Sequence, residues 1–154
     1  MFIFLCGCSG KEAEPQLAGI SFDASLRYGT YECEANIELS ENGQSKAVLL
    51  APDSVKGAEL LFSGEGISVN YMGISYTPQS KLPNETVNSV LSTILSYASK
   101  GAQKAAEKEG LYVLENNAAG YSYKLYMTES GLPVKLECDD AELYAEFSNV
   151  TLKK

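Results

Sequence analysis

The sequence predicts a mostly-β α+β domain. Its antiparallel sheet of about eight or nine strands is curved into an unclosed half-barrel, with one central amphipathic helix packed on the concave face. Three observations carry that prediction. Period-two alternation dominates from Leu26 onward, turn residues punctuate it every few positions, and one stretch near the middle switches to three- and four-residue steps.

The elements follow in order. Tyr31, Cys33, Ala35, Ile37 and Leu39 share one face of the first run, with Thr30, Glu32, Glu34, Asn36 and Glu38 on the other. That is a half-buried strand. Asn42-Gly43 predicts a hairpin turn because both residues tolerate positive φ, and Ser45 to Ala51 is the returning strand, ended by Pro52-Asp53. Gly57 to Ser63 sets Ala58, Leu60 and Phe62 on one face, and Gly64-Glu65-Gly66 turns the chain. Ile67, Val69 and Tyr71 form the next strand, followed by a tight Met72-Gly73 turn and a short strand from Ile74 to Thr77. These five strands read as a meander with short connections.

Pro78-Gln79-Ser80-Lys81-Leu82-Pro83 reads as a linker, and Pro83 suits the first turn of a helix. Val87, Val90, Leu91, Ile94, Leu95 and Ala98 then recur at helical spacing, giving one amphipathic helix that Gly101 ends. Ala102 to Lys108 reads as a further polar turn of helix before Gly110. Four strands close the chain: Leu111 to Glu115, Tyr121 to Met127, Val134 to Cys138, and Leu143 to Leu152. A lone amphipathic helix cannot bury itself, so it must pack on the sheet. A curved sheet with one covering helix leaves room for an apolar cavity.

Composition narrows the function. The chain has 154 residues, enough for one domain with a real core, and 45% hydrophobic against 21% charged residues is a globular balance. Twelve Lys and Arg stand against 20 Asp and Glu, a net charge of −8 with no basic stripe, which argues against nucleic acid. There is no His, the commonest general base and metal ligand, and no Trp, while Tyr reaches ten. The reading is therefore non-enzymatic, with no cofactor and no metal. Oligomeric state is left open.

The N-terminus sets the expected address. Phe2-Ile3-Phe4-Leu5 runs into Cys6-Gly7-Cys8, which resembles the bacterial lipobox: an aliphatic residue, a small residue, Gly or Ala, then Cys. The resemblance implies cleavage before Cys8 and a diacylglycerol thioether on its sulfur, hence a membrane partner at the extracytoplasmic face of the cell membrane. Residues 1–7 are expected to be a truncated signal peptide and 8–19 a lipid-anchored tether, since Ser9 to Gln16 is small and polar without a core pattern. Residues 20–154 form the single folded domain in this reading.

The folded part resembles the lipoprotein-carrier superfamily, the LolA-like fold, whose relatives include mycobacterial lipid-carrying lipoproteins and sensor domains of sigma-factor regulators. The resemblance rests on Gly66-Ile67-Ser68-Val69-Asn70-Tyr71 with its Pro-containing linker and helix, on Gly131-Leu132-Pro133-Val134-Lys135-Leu136-Glu137, and on Glu146-Phe147-Ser148-Asn149-Val150-Thr151-Leu152. It spans Arg27 to Leu152 and implies an unclosed barrel whose apolar interior holds acyl chains or a lipidated protein, without catalysis.

Several residues are candidates for function, each with a plainer alternative. Leu60, Phe62, Val69, Tyr71, Tyr121, Tyr123 and Leu125 form an aromatic and aliphatic face that is either ligand lining or core. Cys33 and Cys138 both face inward by alternation. They are either a disulfide, permitted outside the cytoplasm, or two separate buried thiols. Asp139-Asp140 with Glu142, and Glu107 with Glu109, match no metal-loop spacing and read as solvated turn carboxylates. Asn84-Glu85-Thr86 and Asn149-Val150-Thr151 fit the glycosylation triplet, a pattern frequent by chance.

The function expected is thus an anchored lipoprotein that binds a hydrophobic ligand, lipid or acylated protein, in the concave face. The alternative is a cell-envelope interaction or sensor module with a packed core.

Overall fold

The computed structural model describes residues 11–63, 66–77, 87–101 and 103–153. Cys8 and the leader before it, the linker from Pro78 to Pro83, the Asn84-Glu85-Thr86 triplet and the side chains of Val87 and Val90 lie outside the described residues.

One antiparallel sheet of twelve strands makes up nearly the whole of what is described. In chain order the strands are β1 (Lys11–Ala13), β2 (Ile20–Tyr28), β3 (Tyr31–Leu39), β4 (Ser45–Ala51), β5 (Glu59–Ser63), β6 (Gly66–Tyr71), β7 (Ile74–Tyr76), β8 (Gln103–Lys108), β9 (Leu111–Ala118), β10 (Tyr121–Met127), β11 (Pro133–Cys138) and β12 (Leu143–Leu152). The helix α1 (Val87–Ala98) lies between β7 and β8 in sequence. Across the sheet the order is β1-β8-β9-β10-β11-β12-β2-β3-β4-β5-β6-β7. Two meanders therefore meet where β12 pairs with β2, and β1 and β7 are left as unjoined edges among the described residues.

The mostly-β class, the unclosed sheet and the single central helix agree with the sequence, but twelve strands replace the expected eight or nine. Three strands account for the difference. β2 alternates as regularly as β3, with Ile20, Phe22, Ala24 and Leu26 buried, and its signal begins before Leu26. β8 occupies the stretch expected as a turn of helix. Gln103-Lys104-Ala105-Ala106-Glu107-Lys108 has strong helix formers, yet pairing with β1 and β9 overrides that preference. β1 lies in the expected tether, which is not free chain from Lys11 on. Lys11–Ala13 pairs with Ala105–Gln103, and Leu17 is only 5% exposed. The Gln16 amide donates to the Gly131 carbonyl at 2.9 Å. Gly131 has φ +81, and a Cβ there would overlap the Glu14 carbonyl oxygen, so glycine lets the N-terminal segment lie against the β10–β11 turn.

Register aligns the apolar faces into rows. Leu114 opposes Leu125, which opposes Leu136, then Ala145, Leu26 and Cys33 in turn. A second row runs from Phe22 through Ile37, Ala47, Leu60 and Val69 to Tyr76. Both rows lie on the face that carries the core, hereafter the core face. At its centre the rings of Phe22 and Phe147 meet edge to face, centroids 4.9 Å apart.

α1 packs on β9 and β10 and buries Leu91, Ile94, Leu95 and Ala98, the stripe its spacing predicts. Its C-terminal end is tied to the sheet by one side chain. The Gln103 amide donates to the Ala98 carbonyl at 3.0 Å, and the Gln103 side-chain oxygen accepts from Asn116 at 2.9 Å. On the opposite, outer face, the Asp23 carboxylate accepts from Asn36 at 2.9 Å and from Asn149 at 2.8 Å. Asn149 sits at φ 51 in the register break between β12 and β2, so this triplet asparagine has a structural task. These bonds, Asn149's foremost, hold the Asp23 carboxyl below its ordinary value.

Candidate functional site

The seven candidate lining residues share the core face but not one place on it. Leu60 and Phe62 lie on β5, Val69 and Tyr71 on β6, and Tyr121, Tyr123 and Leu125 on β10. Five strands separate β10 from β5 in the sheet. The β10 residues lie in the part of the sheet that α1 packs against, where Tyr123 is 2% and Leu125 0% exposed. Tyr123 and Leu125 are buried in the core there, while Tyr121 is half-buried and packs against it. The β5 and β6 residues are only half-buried, and β7 beyond them is exposed throughout.

Burial therefore grades across one continuous apolar surface. It is deepest from β9 through β2, and it ends at Ala47 and Ala58, beyond which no residue described on β5, β6 or β7 is buried. Leu60 and Phe62 still pack against the core cluster from this boundary. Tyr71 bends back, donating its hydroxyl to the Ser54 carbonyl at 2.9 Å. A groove of about 570 Å³ touches the same strands but is lined largely from the outer face, by the row Glu38, Lys46, Leu61 and Ser68, with Phe62 and Ile67 also bordering it. The β4–β7 arm is thus where the apolar face is left only half covered.

Two other hollows have different chemistry. One of about 540 Å³ opens at the β2–β3 turn, where Tyr28, Tyr31 and Tyr121 meet the Asp140–Glu142 turn. Tyrosines around a hollow give apolar walls with polar tips. The other, about 610 Å³, is polar and is lined by Arg27, Glu32, Glu34, Lys135, Glu137 and Glu146 among others. Two of its charges pair with each other, and Arg27 lies against a ring. Lys135 meets Glu137 at 2.5 Å, Tyr126 donates to the same carboxylate at 2.9 Å, and the Arg27 guanidinium stands 4.6 Å from the Tyr144 ring centroid. The lysine beside it, with help from the tyrosine, holds the Glu137 carboxyl below its ordinary value.

The Asp139-Asp140 grouping is turn chemistry, whereas Glu107, expected in a turn, lies on β8. Asp140 accepts from the Ser122 amide at 2.8 Å and Asp139 from the Tyr144 hydroxyl at 2.7 Å, and Glu107 pairs with Lys11 at 3.6 Å. Among the described residues no group of His, Cys, Asp and Glu is placed to hold a metal ion, and no helix is long and apolar enough to cross a membrane.

Of the two readings of the cysteines, the structure shows separate thiols. Cys33 on β3 and Cys138 on β11 are separated by β2 and β12, about 14 Å along the sheet at ordinary strand spacing, and both thiols are free. A bridge needs Cα atoms within about 7 Å. Inward alternation gave both cysteines the same face, but pairing depends on strand order. Burial pushes both thiols above their ordinary value.

One buried group has no partner in the described residues: the Tyr123 hydroxyl. Nothing in the local sequence marks it, because Tyr123 reads as one more inward residue of an alternating strand.

No protein-family model matches the sequence, and no curated protein matches it. Solved structures do. An uncharacterized conserved protein from Thermus thermophilus aligns with a TM-score of 0.51 at 12% identity, over 88% of this chain and 78% of its own. That likeness is one of fold. A LolA superfamily protein from Nitrosomonas europaea aligns with a TM-score of 0.43 at 11% identity, over 92% of this chain and 89% of its own. A chain of the Pseudomonas aeruginosa MucA/MucB complex aligns with a TM-score of 0.44 at 11% identity, over 86% of this chain and 51% of its own.

Proposed function

We propose that this protein is a non-catalytic binder of a hydrophobic ligand, a lipid or an acylated protein, taken up on the β4–β7 arm of the core face. In the same reading it is exported and held at the membrane by lipid on Cys8. One observation carries the ligand proposal: the apolar face does not stop where the helix-covered core stops. Leu60, Phe62, Ile67 and Val69 continue the rows of the core with side chains only half-buried. Acyl methylenes laid there would leave water at about 0.8 kcal/mol each, before association costs.

The test is native mass spectrometry with organic extraction on the full chain purified from a lipid-containing host. A reproducible adduct that extracts as lipid, and is lost in a folded Leu60→Asp/Val69→Asp variant, is the expected result. A clean apo mass with no uptake of added fatty acids or phospholipids would assign the protein to the packed interaction-module class instead. For the anchor, Cys8→Ser should move the protein from the membrane to the soluble fraction; a wild-type chain already found in the soluble fraction would sink that part.

A further inference from the structure

The run from Gly66 to Ser80 holds no charged residue in fifteen positions, although 21% of the chain is charged and such a run would carry about three. Within it, the β6–β7 hairpin exposes its largest apolar side chains: Met72 is 84%, Ile74 72% and Tyr76 62% exposed. Register sets Ile74 opposite Tyr71 and Tyr76 opposite Val69, so these side chains form one apolar block with Met72 at its tip.

The turn itself departs from local rules. Met72 at φ 50 and Gly73 at φ +80 give the paired positive φ of a tight hairpin turn, whose first place normally goes to Asn, Asp or Gly. A Cβ-bearing, long apolar residue is held at the solvent end of the arm against that preference. Glu109-Gly110 and Ala119-Gly120 turn the same way, so what sets Met72 apart is its long apolar side chain rather than its backbone. The other edge of the sheet contrasts with it: β1 presents Lys11 and Glu12, and Lys11 pairs with Glu107 at 3.6 Å. Charge blunts that edge, while β7 carries none.

We propose that the β6–β7 hairpin docks into the interfacial layer of a lipid bilayer, with Met72 and Ile74 at the acyl boundary and Tyr76 at headgroup level. Tyrosine is favoured at that level and aliphatic side chains just below it. The polar residues among them, Ser68, Asn70 and Ser75, are neutral, so no ion is desolvated as the tip enters. A chain of net charge −8 is repelled by anionic headgroups, and the repulsion is least at a charge-free arm. A pairing strand from another protein would also use the β7 edge. The exposed Met72 side chain at the turn, beyond the ladder, favours the bilayer. The inference stands apart from the ligand reading, since a tip can dock whether or not the arm holds a ligand.

Sedimentation of the full chain with phosphatidylcholine vesicles tests it, the N-terminal segment being common to every variant. Wild type should bind with little dependence on salt, and Met72→Asp/Ile74→Asp should lower the partition coefficient at least about tenfold. Tyr31→Asp, at a 77% exposed tyrosine of the β2–β3 turn, should leave it unchanged. Met72→Asn guards against misfolding: it suits the turn better, so it should lower partition while holding or raising the thermal midpoint. Equal partition of wild type and double variant, or no binding by wild type, overturns the proposal. So does a wild-type dimer that the double variant converts to monomer, which would assign the hairpin to self-pairing.

Discussion

The two halves of the sheet differ in what covers them. From β9 to β2 the core face is largely buried, with α1 packed on β9 and β10 and Leu17 of the N-terminal segment joined to the core, and Leu114, Leu125, Met127, Leu136 and Leu143 are all 2% exposed or less. From β5 to β7 the same face, built with the same alternation, has no buried residue among those described. Backbone pairing is alike on both sides. Alternation thus makes an apolar face, but packing against a second layer decides whether that face is core or surface open to a ligand.

The largest expected effect that separates the halves is on stability. Leu125→Ala removes a fully buried side chain from under the helix and should cost about 3–4 kcal/mol in denaturant unfolding. Leu60→Ala, at a half-buried position on the arm, should cost about 1 kcal/mol. Equal costs would mean that the arm is packed as tightly as the core, and the comparison would fail. The same contrast moves the ligand test. Leu125→Asp would put a carboxylate into the covered core and unfold it, so it cannot report on uptake. Substitutions at Leu60 and Val69 probe the ligand without that penalty.

Much of this architecture is legible in the chain. Tyr31 to Leu39 and Tyr121 to Met127 announce their faces by alternation, and Val87 to Ala98 its helix by spacing. β8 is illegible because Gln103 to Lys108 buries only Ala105, leaving no alternation to oppose its helix propensity. β1 is three residues with nothing buried, and it exists only because β8 offers a partner. The candidate lining was half legible. Alternation places Leu60 and Leu125 on one face, but where the helix lands along that face is set by strand order, which pairs β12 with β2 across a separation that no local pattern encodes. The cysteines mislead for the same reason.

Those cysteines give the second way to sharpen the comparison. Cys138 is fully buried at the end of β11, whereas Cys33 is half-buried where β3 leads toward the arm. Native-state labelling with a neutral maleimide should modify Cys33 about a hundredfold faster than Cys138, which must wait for larger openings. Burial holds the Cys33 thiol above its ordinary value, so its rate should still be rising with pH at 9.0. Comparable rates, read by peptide mass, would show that the covered half opens as readily as its border.

The smallest effect is the most diagnostic, and it concerns Tyr123. Its hydroxyl is buried beneath the helix-covered surface with no partner among the described residues, and burial raises the phenol above its ordinary value. An unpaired buried hydroxyl costs free energy, so Tyr123→Phe, which keeps the ring and deletes the oxygen, should stabilise the protein by up to about 1 kcal/mol. A urea midpoint shifted upward at unchanged slope is the expected reading. A loss of a similar size would mean that the hydroxyl makes a hydrogen bond in solution, to trapped water or to the polar end of a ligand. The covered half would then contain polar-lined space of its own, and the division between a packed core and an open arm would have to be redrawn with Tyr123 on the ligand side.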